Sequence, residues 1–156
     1  IKNSSIYTTE DYRGKMARKR RYFYGLRVHV LTTATGKPVE VLLTPASSHD
    51  GTAFRMMDCD LPDGSIIYAD KIYNDAQHER HLREHAGIRL LPLRKKNMRD
   101  QFPHYVRYIQ GQVRQRIESS FSQLTAMFPK SIHAVRPRGF ELKVIAFILA
   151  FAIQCL

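Results

Sequence analysis

The chain has 156 residues, 44% hydrophobic and 25% charged, enough for a real core and not the composition of a disordered or low-complexity segment. Twenty-five Lys and Arg against fourteen Asp and Glu give a net charge of +11 and a pI near 10, a field that attracts polyanions and favours release of phosphate counterions. The two cysteines, Cys59 and Cys155, lie far apart, which argues against a disulfide framework or a CxxC zinc site and fits a reducing cytoplasm.

In chain order, the first twenty-one residues are polar and become densely basic through Arg13, Lys15, Arg18, Lys19, Arg20 and Arg21. Tyr22 to Leu31 alternates as a strand, with Leu26, Val28 and Val30 on one face and Arg27 and His29 on the other. TTATGKP is a turn, and Val39 to Leu43 completes a hairpin. Pro45 ends that strand, and Ser48 to Asp50 offer caps for a short helix over 51–58. Ser65 to Ala69 reads as a buried strand with Asp70 at its carboxyl end. Asn74 or Asp75 then caps a helix to about His85, which Gly87 stops. Ile88 to Leu93 is a further strand, at an edge because of Pro92, followed by the basic loop RKKNMR.

From Tyr105 to Met127 the pattern is helical, with Gly111 as a candidate break and Val113, Ile117, Phe121, Leu124 and Phe128 as a core-facing stripe. A last helix over Phe140 to Gln154 carries ten uninterrupted apolar residues, Val144 to Ile153. A membrane span needs roughly 20 such residues. This one reads as a buried helix. The N-terminus is too polar for a signal peptide, and a chain that opens on Ile1 reads as a piece of a longer polypeptide. The order of elements predicts a mixed α/β domain.

Two acids stand out. Asp70 sits beyond the carboxyl end of a strand, where open α/β sheets gather ligands, although a lone strand-end Asp is more often a cap or turn acid. Glu118 lies beside Ile117 and one turn after Arg114, so a plain surface ion pair competes with a place at the edge of the buried face. Phosphodiester chemistry on divalent metals needs hard oxygen ligands, and a sheet-end Asp, a helix Glu and a basic surround supply the matching residue types. His29 is more often a packed, hydrogen-bonded histidine than a ligand, and Asp50 a helix cap.

The segments EDYRGKMARKRRYFYGLRVHVL, VEVLLTPASSHD, YADKIYND, LLPLRKKNM, RQRIESSFSQL and IHAVRPRGFELK together make the chain resemble the catalytic domain of DDE transposases of bacterial insertion sequences. They run in the family's order over about residues 5 to 153. The resemblance implies a ribonuclease H-like mixed sheet flanked by helices, here without its first strand, with the whole of 1–156 as a partial catalytic domain. It implies an Asp, Asp, Glu triad holding two Mg²⁺ ions, or Mn²⁺ as a substitute. Asp70 matches the second Asp and Glu118 the Glu, while no Asp here has the context of the first.

In the family signature around that Glu, Arg114 matches; Gly111 stands where Tyr is expected and Thr125 where Lys is expected, which weakens any DNA contact read from this helix. Arg114, Lys71, Arg94, Lys95, Lys96, Lys19 and Arg20 are the expected DNA contacts, to phosphates and not to bases. The implied activity is Mg²⁺-dependent cleavage and strand transfer at transposon ends, at the nucleoid of a bacterial cytoplasm, with oligomerisation in the transposition complex and no membrane partner. The alternative is an inactive transposase remnant or a basic nucleic-acid-binding module.

Overall fold

The structure, a computed structural model, describes residues 6–16 and 20–155. It is a mixed α/β chain that divides into two compact units, Ile1–His49 with Ser119–Leu156 and Asp50–Glu118.

In the first unit, β1 (Arg13–Met16) and β2 (Arg21–Tyr24) form a tight antiparallel hairpin, and β3 (Leu26–Thr32) pairs antiparallel with β4 (Pro38–Pro45). The expected single strand from Tyr22 to Leu31 is thus two strands. At Gly25 the backbone changes partners, donating to Tyr12 O at 2.9 Å and accepting from Ala46 N at 3.1 Å. The β1 hairpin was not expected, because RGKM has no apolar alternation. What admits it is Gly14, whose hydrogen lies where a Cβ would come within 2.6 Å of the Phe23 ring and 2.8 Å of Ala46 Cβ.

The β3–β4 register puts Val28 opposite Leu43 and Val30 opposite Val41. Val41 and Leu43 pack against the core of Leu124, Val144, Ile148 and Phe151. The polar face is covered as well. His29 is 8% exposed, and its Nε2 lies 3.0 Å from Thr44 Oγ1, so it is a packed, hydrogen-bonded histidine. The last helix, α4 (Pro137–Gln154), starts on a proline that needs no amide partner there. It is buried on one side only, because Leu149 and Ile153 remain 58% and 68% exposed, contrary to the wholly buried helix expected.

In the second unit, α1 (Asp50–Arg55) precedes β5 (Ile66–Ala69), and α2 (Ala76–Ala86) connects β5 to the parallel strand β6 (Arg89–Pro92). Gly87 ends α2 at φ 62°, a left-handed cap that lets Ile88 N donate to Leu82 O at 3.1 Å. Ile67, Leu82, Ile88 and Leu90 are buried between helix and strands. The helix α3 (His104–Met127) runs unbroken through Gly111, and the boundary between the units falls within it, after Glu118. Its covered line runs Gln110, Leu124 and Ser120 instead of the full predicted stripe, and Phe121 is 37% exposed.

Among the described residues the strands form three two-stranded sheets, two antiparallel and one parallel, where one continuous mixed sheet was expected. Turn chemistry and the βαβ connection specify each local pair. Edge-to-edge joining of pairs depends on long-range packing that no local pattern encodes.

Candidate active site

Both carboxylates singled out from the sequence fall in the second unit. Asp70 follows β5 and caps the 3-10 turn Lys71–Tyr73: its Oδ1 accepts from Lys71 N at 2.7 Å, and its carbonyl accepts from Tyr73 N at 3.0 Å. The cap reading is therefore realised by one oxygen of an exposed carboxylate. Oδ2 takes no hydrogen bond from the described residues.

The turn behind Asp70 is held by a residue read from the sequence only as a possible cap. Asn74 Nδ2 donates to Lys71 O at 2.8 Å and to Leu93 O at 2.7 Å, joining the end of β5 to the end of β6. Its Oδ1 accepts from Arg94 at 3.0 Å. The cap of α2 is instead Asp75, whose Oδ1 accepts from Gln77 N and His78 N at 3.1 and 3.2 Å. The His78 amide and the Arg55 guanidinium, at 2.7 Å, hold the Asp75 carboxyl below the usual range. The signal for Asn74 was present in YADKIYND, but nothing local distinguishes a cap from a strand-to-strand brace.

Glu118 reaches the same neighbourhood through α3. Gln110, 3% exposed, donates from Nε2 to Leu91 O at 3.1 Å and so fastens α3 to β6. Arg114 is one turn further on and Glu118 two. Arg114 Nε donates to Glu118 Oε1 at 3.0 Å, with both side chains largely exposed. The Arg114 guanidinium has its pKa raised, first by the bond to Glu118 and then by the field of Asp70. Arg114 is thus paired directly with Glu118, and Asp70 acts on it only through space.

Carboxylate oxygens such as those of Asp70 and Glu118 are the donors that a hard divalent cation takes, with water completing its shell. No group of three or more His, Cys, Asp or Glu side chains is gathered for a metal among the described residues. The acids therefore fit part of a donor set.

The expected DNA contacts divide into three groups. Lys71, Lys95 and Lys96 are exposed in the second unit, with the Lys95 carbonyl closing its loop by accepting from Gln101 Nε2 at 2.8 Å. Arg94 is committed elsewhere: its two terminal nitrogens grip Glu79 at 2.6 and 2.7 Å, and its guanidinium lies 4.6 Å above the Phe102 ring. Arg20, in the first unit, is exposed at φ 47° in the turn of the β1 hairpin, and Lys19 lies outside the described residues. Asp50 is the first residue of α1, with its acid in the first turn.

No helix is long and apolar enough to cross a membrane among the described residues. No solved structure matches the chain. A protein described as "Transposase for insertion sequence element IS1106", from Neisseria meningitidis serogroup B, is 31% identical over 110 residues, which cover 69% of this chain and 38% of that protein. The chain thus spans well under half the length of this relative. The Transposase DDE domain family matches residues 3–156, nearly every position including both acids and Arg114. The chain belongs to the Transposase DDE domain family.

Proposed function

We propose that the chain acts in DNA transposition, as part of a ribonuclease H-like catalytic domain that cleaves and joins DNA at transposon ends. The observation that carries this reading is the Transposase DDE domain match over residues 3–156, a range that spans Asp70 and the Arg114–Glu118 pair. Asp70 and Glu118 would hold Mg²⁺, or Mn²⁺ in its place, and the third acid of the triad would come from a strand outside these residues. Divalent ions supply activation of the attacking oxygen and neutralisation of the charge at phosphorus.

The chain's own residues then have distinct tasks. The Lys71 amide orients the Asp70 carboxylate through Oδ1, and Asn74 ties the turn behind it to the end of β6. Gln110 sets the height of Glu118 along β6. Arg114, a planar fork suited to phosphate, turns from Glu118 to a phosphate oxygen of bound DNA. Lys71, Lys95, Lys96, Arg20 and Lys19 contact the backbone, which positions the duplex without reading it.

The test uses Asp70→Asn and Glu118→Gln, read by Mn²⁺ binding in electron paramagnetic resonance and by cleavage of transposon-end DNA in a polypeptide that includes the third acid. Each variant is expected to weaken Mn²⁺ binding by at least about 10-fold and to abolish cleavage while DNA binding persists. Full cleavage by either variant would sink the assignment. DNA binding without any Mn²⁺-dependent cleavage in the longer polypeptide would favour the basic-module alternative.

A further inference from the structure

The second unit carries a cavity of about 390 Å³ that shares no lining residue with Asp70, Arg114 or Glu118. Its wall includes Arg80 and Arg83 on α2, Arg89 at the start of β6, and Arg94, Asp100 and Phe102 beyond that strand. Four guanidiniums therefore face two carboxylates, Glu79 and Asp100, and Arg94 already neutralises Glu79. The side chains of Arg80, Arg83 and Arg89 make no ion pair or hydrogen bond with the described residues.

Arg80 and Arg83 are three apart on one helix, where like charges repel, and all three arginines are exposed on one concave wall, open to a polyanion from solvent. A solvated charge run on a convex surface would carry no such implication. The parallel register puts Arg89 opposite Ile66 at the start of the two strands, whereas Asp70 follows Ala69 at their far end, the end to which Arg94 is tied through Asn74. Phe102 and the Arg94–Glu79 pair brace one side, so the three uncommitted arginines sit on a built support.

We propose that Arg80, Arg83 and Arg89 form a second phosphate-binding surface, which grips the sugar–phosphate backbone of a nucleic acid away from the acid pair. The polyanion is identified as DNA on the strength of the transposase reading. Guanidinium forks take phosphate oxygens bidentately, and three of them around one cavity suit consecutive backbone phosphates. Arg94 serves as a positioning residue, because its terminal nitrogens are occupied.

The experiment measures binding of the full chain to a fluorescent duplex of about 20 base pairs, across a salt series and without divalent ions. Arg80→Gln/Arg83→Gln is expected to weaken binding by roughly 10-fold and to reduce the slope of log K against log salt by about two, near 0.9 per phosphate contact. Arg80→Lys/Arg83→Lys should keep most of the slope, since charge and not shape sets it. An unchanged slope in the glutamine variant overturns the proposal. So does a shift of these arginine resonances with inorganic phosphate alone when the DNA curve ignores the substitution, which would make the cavity a small-anion site. Mn²⁺ binding measured on the same glutamine variant stays intact if the two sites are separate. A failure of the Asp70 and Glu118 assignment appears only in that metal readout and leaves the DNA slope unmoved.

Discussion

Both compact units of the chain bury apolar side chains, and they differ in the polar ties added to that packing. In the first, Leu124, Val144, Ile148 and Phe151 pack beneath Val41 and Leu43, so its stability comes from apolar surface removed from water. In the second, Phe54, Ile67, Leu82, Ile88 and Leu90 are buried as well, and directional polar bonds are added to that packing: Asn74 across the strand ends, Arg94 on Glu79, and Gln110 on Leu91. Hydrophobic burial is non-directional and tolerates small displacements. Hydrogen bonds fix positions to a fraction of an ångström, as a carboxylate site requires. The unit with the acids accordingly carries polar ties at its strand ends as well as an apolar core.

The largest expected effect is in the first unit. Ile148 is 1% exposed at the centre of its core, and Ile148→Ala should cost about 2–5 kcal/mol in urea unfolding. A loss under about 1 kcal/mol would mean that the helix α4 is not packed as described. Asn74→Ala is the intermediate case. It should cost roughly 1–2 kcal/mol of stability, yet lower Mn²⁺ affinity several-fold, because the turn behind Asp70 loses its tie to β6. If stability falls and Mn²⁺ affinity does not, the bond holds the fold and not the acid.

The smallest effect is in pH. Burial pushes His78 below the ordinary imidazole value, its Nε2 is enclosed without a hydrogen-bond partner, and its ring lies 5.1 Å from Phe54. The unfolded chain therefore binds a proton on this residue before the folded one does. Stability is full above about pH 6.5, and it falls as pH drops toward the lowered folded value. Thermal melts at pH 7.5 and 5.5 should show this loss, and His78→Phe should shrink it. An equal loss in the variant would assign the pH response to other groups.

Much of the site could be read from residue order alone. Asp70 at a strand end and Glu118 one turn after Arg114 needed only the β5 pattern and helical spacing, and both positions hold. His29 likewise packs and hydrogen-bonds as its strand setting suggested. The misreadings share one cause. Tyr22 to Leu31 looked continuous because alternation does not stop at Gly25, and Arg94 looked free because a basic loop carries no sign of a partner fifteen residues earlier in the chain. Phe121 fell at core spacing, yet Ser120 is the residue covered, because a helix's own pattern cannot say how far it is rotated against its neighbours.

The sequence by itself determined the mixed α/β class, the family and the polyanion-attracting charge, since each depends on residue type and local spacing. Only the tertiary structure decided that Gln110 fastens the helix of Glu118 to β6, that Asn74 braces the turn behind Asp70, and that Arg80, Arg83 and Arg89 line one cavity. Those facts join residues across separate elements, and the distances between them are set by packing and by long-range hydrogen bonds, which no local pattern of side chains contains.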